Sequence, residues 1–134
     1  MDIYPTDDAD TRQLVRALTQ YEDNTDELPR SELDTHIRLA KMRLQTTTDK
    51  SDFYKIDGLG QALVATTAIL AKAAVENYSV DRWDLGVGTI DVGSAGDADV
   101  VQFSEWASMA AEGLADAGLN SNTATNINSA GYIG

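Results

Sequence analysis

The chain has 134 residues, of which 43% are hydrophobic, so a single domain with its own core is expected. Its 22 Asp and Glu residues against 10 Lys and Arg give a formal net charge of -12, which disfavours nucleic-acid binding because affinity for phosphates depends on basic side chains. The chain has no Cys, which excludes disulfides, thiolate metal sites and thiol nucleophiles. It has one histidine, His36.

Two amphipathic helices are predicted in the first third of the chain. The first follows Pro5, begins among acidic capping residues and ends near Tyr21. The second begins at Pro29 or Ser31 and ends near Gln45. It has one apolar stripe, and its positive charge lies largely outside that stripe, at Arg30, Arg38, Lys41 and Arg43.

A third helix is predicted from about Asp52 to Asn77. Its high content of Ala and aliphatic residues leaves little polar surface, so we expect other helices or neighbouring subunits to cover it on several sides. Polar residues between Gln61 and Lys72 interrupt the apolar run, and we expect it to fall short of a membrane span.

The pattern changes over residues 79–98, where glycines punctuate two short runs of alternating apolar and polar residues. This favours a short hairpin or an extended loop. A fourth helix is predicted to begin at Asp97 or Asp99 and to be capped by Gly118. Its expected buried positions are Val101, Trp106, Met109, Ala110 and Leu114.

The predicted fold class is mainly α. Residues 1–118 are expected to form a small bundle of about four helices, with a Gly-rich, β-hairpin-like excursion over residues 79–98. Residues 119–134 are rich in Asn and Ser, and we expect them to form an extended polar C-terminal tail.

Motifs for catalysis, metals and cofactors fail on spacing or context. The acidic cluster over residues 49–57 lacks the ligand spacing of a helix-loop-helix calcium site, and Gly86-Val87-Gly88 lacks the third glycine and the helix of a dinucleotide loop. His36 lies inside a predicted helix, and the sequence has no Gly-x-Ser-x-Gly motif that would supply a serine nucleophile. We therefore expect no catalytic residues, no metal ligands and no cofactor.

The excursion and the tail are the segments that the sequence favours for binding a partner. The excursion exposes backbone that could pair with the edge of another chain, and the tail carries the anchors Tyr132 and Ile133. The alternative is a mobile loop and a disordered tail.

Four features of layout run through nearly the whole chain. A short N-terminal helix precedes the helix LPRSELDTHIRLAKMRL, and a long Ala-rich helix covers Ala62 to Ala74. The excursion WDLGVGTIDVG follows, and a last helix ending in LADAG, at Leu114 to Gly118, leads into the polar tail. This layout resembles that of the small head-to-tail adaptor proteins of tailed viruses, also called connector or head-completion proteins.

The resemblance implies a structural virion protein of the neck without catalytic activity. About a dozen copies would form a ring that binds the portal protein on one side and the next neck or tail component on the other. DNA would pass through the ring without specific binding, no membrane would be involved, and the protein would be made in the host cytoplasm.

On this interpretation, the subunit and portal contacts lie in the excursion and the tail. The expected contact residues are Trp83, Leu85, Val87, Ile90, Val92, Ile127, Tyr132 and Ile133. The basic residues of the second helix would face an acidic neighbouring subunit and offset charge repulsion within the ring, through Arg30, Arg38, Lys41 and Arg43.

The acidic residues are mostly short, 16 Asp against 6 Glu, and they are spread along the chain. Such a surface is typical of halophilic proteins, because its self-repulsion is relieved when salt shortens the Debye length to about 3 Å at 1 M. We therefore expect a virus of a salt-loving archaeal host. An ordinary acidic mesophile protein is the alternative.

Two other classes of function stay open. One is a small helical partner-binding or regulatory protein of a halophilic cell, which would dimerise through the Ala-rich helix. The other is an enzyme with an unrecognised carboxylate site, since a chain with many acids can bring some pair together by chance.

Overall fold

The computed structural model describes residues 4–21 and 27–118. Within these ranges the chain is mainly helical with one antiparallel hairpin, which confirms the predicted fold class. The predicted tail over residues 119–134 lies outside the described residues. The elements are α1 (Asp8–Thr19), α2 (Arg30–Thr48), α3 (Leu59–Glu76), β1 (Ser79–Asp84), β2 (Thr89–Gly93) and α4 (Asp97–Asp116).

Local hydrogen bonds set the ends of α1 and α2. The carboxylate of Asp7 accepts a hydrogen bond from the backbone N–H of Asp10 at 2.8 Å and caps α1. α2 begins after Pro29, as predicted, but it continues to Thr48, beyond the predicted end at Gln45. The three threonine hydroxyls at its end each donate to the carbonyl four residues earlier, and the helix ends where Asp49 adopts a left-handed φ of 60° and donates its backbone N–H to Gln45.

α3 begins at Leu59 and not at the predicted Asp52. Residues 53–58 form turns, and Gly58 has a left-handed φ of 90°, which an α-helix does not include. Thirteen of its eighteen residues are buried against other elements of the chain, as its Ala and aliphatic content predicted.

By length and composition α3 is long and apolar enough to cross a membrane, contrary to the sequence-based expectation. However, 72% of the apolar span is buried inside the bundle. This degree of burial is typical of the core helix of a globular domain.

α3 is the central helix, because α1, α2 and α4 all pack against it. α2 and α4 make no extensive contact with each other, so they lie on different sides of α3.

Near the start of α4, the Phe103 ring centroid lies 6.0 Å from Tyr78 and 5.9 Å from Trp106, in both cases edge to face.

α4 begins at Asp97, one of the two predicted starts, but its buried face differs from the prediction. Val101 was expected to be buried and is 57% exposed, whereas Phe103 is fully buried. The buried stripe runs through Phe103, Ala107, Ala110 and Leu114 at helical spacing and leaves Val101 on the opposite side.

The predicted excursion forms a hairpin, β1 and β2, in which Trp83 lies opposite Ile90. The register shifts between Val80 and Arg82, where β1 contains an extra residue. Because successive side chains of a strand point to opposite faces, this shift lets both Val80 and Trp83 pack against the helical core.

The hairpin turn is folded onto α4. Asp84 Oδ1 accepts hydrogen bonds from the backbone N–H groups of Gly86 at 2.9 Å and Val87 at 3.3 Å. Gly88 has a φ of 72°, and a Cβ at this position would lie 3.0 Å from the Cα of Ser108. The turn therefore needs glycine both for its backbone conformation and for its close approach to α4.

Candidate interaction surfaces

The structure divides the expected hairpin contact residues into buried and exposed groups. Leu85 is only 5% exposed and belongs to the core of its own chain, so it is a packing residue and not a surface contact. Trp83, Ile90 and Val92 are half-buried against the helices. Val87, at the turn, is 69% exposed and is the one large apolar residue of the described hairpin that is exposed.

Arg43 of α2 packs on the hairpin. Its guanidinium carbon lies 5.1 Å from the centroid of the Trp83 ring, a cation–π geometry. The indole Nε1 is buried and has no hydrogen-bond partner among the described residues. Arg43 therefore covers Trp83 within the chain, a contact that helix periodicity could not reveal because the two residues lie in different elements.

Lys41 is also held within the chain. Its Nζ lies 2.8 Å from Asp8 Oδ1 and 5.6 Å from the centroid of the Tyr54 ring, and the Tyr54 hydroxyl donates a second hydrogen bond to Asp8. Partial burial acts to raise the pKa of Asp8, but the hydrogen bonds from Lys41 and Tyr54 outweigh it, and the pKa is lowered. This cluster joins α1, α2 and the turns before α3.

Arg30 and Arg38 are exposed and form no ion pair with any described residue. Arg30 borders a cleft of about 700 Å³ between α1 and α2, together with Arg12 and Arg16. Arg12 is bonded to Asp34 at 3.0 Å, and Arg16 donates to the backbone carbonyls of Tyr21 and Leu28, which follow α1 and precede α2. Two of the three arginines thus hold the cleft walls together.

The outward side of α2 presents apolar and basic side chains together. Leu39 is 45% exposed and Met42 is 58% exposed, and Arg38 lies beside them at helical spacing. We call Arg38, Leu39 and Met42 the α2 face. It points away from the buried stripe that contacts α3.

The outward side of α4 presents apolar and acidic side chains. Val100, Val101 and Glu105 are exposed, and a shallow groove of about 450 Å³ runs along them. We call these three residues the α4 face. Glu105 forms no ion pair within the described part of the chain. Beyond Arg82 the sequence contains seven acidic residues and neither Lys nor Arg.

A bonded cluster fixes the start of α4 to the end of α3. Lys72 Nζ lies 3.1 Å from Asp99 Oδ1, and the Tyr78 hydroxyl donates to Asp99 Oδ2 at 2.6 Å. The hydrogen bonds from Tyr78 and Lys72 lower the pKa of Asp99. The same carboxylate raises the pKa of Tyr78.

His36 borders a cavity of about 290 Å³ between α2 and α3, with Glu27 and Glu32 among its lining residues. Its Nδ1 is buried without a hydrogen-bond partner in the described residues. Burial lowers the pKa of His36, while the negative charge of Glu32 acts in the opposite direction. The side chain is thus part of an interhelical contact.

The expected lack of a metal site and the expected tail contacts stay predictions. In residues 4–21 and 27–118, His, Asp and Glu side chains do not gather into a group of three or more that could hold a metal ion. The expected tail contacts Ile127, Tyr132 and Ile133 lie outside the described residues. Searches of protein-family models, curated proteins and solved structures find no match to this chain.

Proposed function

We propose that this chain is a head-to-tail adaptor in the neck of a tailed virus of a halophilic host. Copies of it form a ring of about twelve subunits between the portal protein and the next neck or tail component. The portal contacts come from the hairpin tip and from the C-terminal tail, with Val87, Ile127, Tyr132 and Ile133 as anchors. The protein acts by binding and carries out no reaction.

The observation that carries the proposal is the distribution of exposed apolar side chains. Besides Tyr4 near the start of the chain, the small bundle presents them at the hairpin tip, the α2 face and the α4 face. An adaptor in a ring needs several such places, because each subunit contacts two neighbours and two further proteins. The acidic net charge of -12 also suits a channel that DNA must pass without adhering.

The alternative is a halophilic regulatory protein that dimerises through the Ala-rich helix. The fold disfavours this interface. α3 is buried by α1, α2 and α4 of the same chain and offers no wide free face in the described structure. A dimer would have to use the α2 face or the α4 face instead.

The proposal is tested with the portal protein encoded nearest to this gene. We expect the full-length chain to bind assembled portal rings, and cryo-electron microscopy of the complex to show a ring of adaptor density beneath the portal. Val87→Asp should weaken portal binding, whereas Ser51→Asp, in an exposed loop, should leave it unchanged.

Deletion of residues 119–134 should also weaken portal binding if the tail docks there. Circular dichroism of the shortened chain verifies that the bundle still folds. A stable dimer with no affinity for the portal, or a genome with no portal gene near this one, would contradict the proposal.

A further inference from the structure

The α2 face and the α4 face are complementary in charge. α2 carries four basic and two acidic residues, whereas α4 carries five acidic residues and no basic one. Both faces also expose two neighbouring apolar side chains, Leu39 and Met42 on one and Val100 and Val101 on the other. The two faces are thus opposite in charge and alike in their exposed apolar residues.

We propose that the α2 face of one copy of this chain binds the α4 face of the next copy. Leu39 and Met42 would pack against Val100 and Val101, and Arg38 would pair with Glu105. This contact specifies how subunits join in the proposed ring and so rests on the proposed function, although it can be tested without a portal protein.

Burial and charge favour this pairing over a symmetric one. A contact between two α2 faces would bring Arg38, which has no ion-pair partner among the described residues, against its own copy. A contact between two α4 faces would bring Glu105, which also has no described ion-pair partner, against its own copy on a helix without basic residues. Like charges placed face to face oppose association, whereas the mixed pairing brings opposite charges together.

The positions of the two faces determine the kind of assembly. α2 and α4 pack on different sides of α3, so one subunit can use both faces at the same time. A contact between two different surfaces is head to tail, and its repetition gives a closed ring or a filament instead of a dimer. This is the geometry that an adaptor ring requires.

The chain contains no Cys, so engineered thiols report on this contact without background. A full-length Leu39→Cys/Val101→Cys chain is treated with a short bismaleimide in the lowest salt at which it is folded. We expect a ladder of dimers, trimers and higher oligomers. The matched control is Leu39→Cys/Lys50→Cys, which pairs the α2 face with an exposed residue outside both faces.

Single-cysteine chains test the head-to-tail geometry. Leu39→Cys alone and Val101→Cys alone should remain monomers, and an equal mixture of the two should stop at dimers. Dimers from one single-cysteine chain would show a symmetric contact and overturn the proposal. A ladder no stronger than that of the Leu39→Cys/Lys50→Cys control would overturn it as well.

Charge reversal tests the proposed pairing of Arg38 with Glu105. Arg38→Glu and Glu105→Arg should each reduce ladder formation about tenfold, because each places like charges in contact, and the double variant should restore it. Equal ladders from the original chain and both single variants would overturn this pairing.

The proposed function can fail separately. A ladder without portal binding would retain the subunit contact and contradict the adaptor function. The opposite result is portal binding without a ladder. If added portal also protects the engineered thiol of the Val101→Cys chain from labelling, the α4 face binds the portal, and the proposed contact between copies is overturned.

Discussion

Gly58 and Gly113 bring the start of α3 and the end of α4 into backbone contact. A Cβ at Gly58 would lie 2.2 Å from the carbonyl oxygen of Gly113, and a Cβ at Gly113 would lie 2.4 Å from the carbonyl oxygen of Gly58. Both distances are well below van der Waals contact, so neither position can hold a side chain without moving a helix. The pair fixes the spacing of the two most extensively packed helices.

Gly113→Ala is therefore expected to destabilise the fold by about 1–3 kcal/mol, although alanine favours helices more than glycine does. Gly58→Ala should cost more, because its φ of 90° adds backbone strain to the clash. Urea unfolding at fixed salt measures both effects. Gly96→Ala is the control without a clash, since nothing lies within 4 Å of its added Cβ and its φ is -71°, and as the N-cap of α4 it should cost at most about 1 kcal/mol. Equal stability of all three variants would contradict this account.

The sequence predicted the helices well because their signals are local. Capping residues, apolar stripes and turn glycines lie within a few positions of the elements that they define. The largest boundary error was the start of α3, where Gly58 has a left-handed φ and also lies against Gly113, a residue 55 positions away. Such a contact leaves no pattern in the neighbouring sequence.

The surfaces were harder to predict than the helices. Leu85 and Val87 are close in sequence and both apolar, yet one is buried and the other exposed because Gly88 folds the turn onto α4. Val101 was placed on the wrong side of its helix because adjacent valines allow two stripes, and only the aromatic contacts of Phe103 select one of them. Side-chain exposure thus depended on tertiary contacts between distant residues.

The cluster of Lys72, Tyr78 and Asp99 is expected to make the fold sensitive to acid. Hydrogen bonds from Tyr78 and Lys72 lower the pKa of Asp99 in the folded chain below its ordinary value of 3.8. The resulting stabilisation is present above that ordinary value and is lost as the pH falls through the lowered one. Asp99→Asn should reduce stability near neutral pH and flatten the acid limb of the stability curve.

Thermal unfolding from pH 7 to pH 2 measures this effect, with Asp91→Asn as the control. Asp91 lies on the exposed side of β2 and forms no ion pair with a described residue. If both variants have the acid limb of the original chain, the hydrogen-bonded cluster does not contribute to acid sensitivity.

His36 is expected to disfavour the folded state at mildly acid pH. Burial lowers its pKa below the ordinary value of 6.5, so the unfolded chain takes up a proton first as the pH falls. Stability therefore declines as the pH drops from about 6.5 through the lowered value of the folded state. His36→Gln should lose less stability over this window than the original chain.

Because His36 is the only histidine, its imidazole signals can be followed by NMR without assignment. We expect the titration midpoint to lie below 6.5 in the folded chain and to move towards 6.5 in urea. A folded-state midpoint above 6.5 would show that Glu32 outweighs burial, and His36→Gln would then have the opposite pH dependence.

Salt should stabilise the chain, since 22 acidic groups share the surface of a small domain with only 10 basic ones. At 1 M salt the Debye length is about 3 Å, which screens repulsion between most exposed carboxylates while leaving the apolar core intact. We expect the melting temperature to rise steeply from low salt to molar NaCl or KCl.

Exposed acids that have no described ion-pair partner, such as Asp52, Asp57 and Asp91, can be replaced with Asn to test this explanation. The replacements should raise the melting temperature in low salt and reduce its dependence on salt. A melting temperature that stays flat from low to molar salt would contradict the interpretation of the acidic surface as an adaptation to salt and would favour an ordinary acidic mesophile protein.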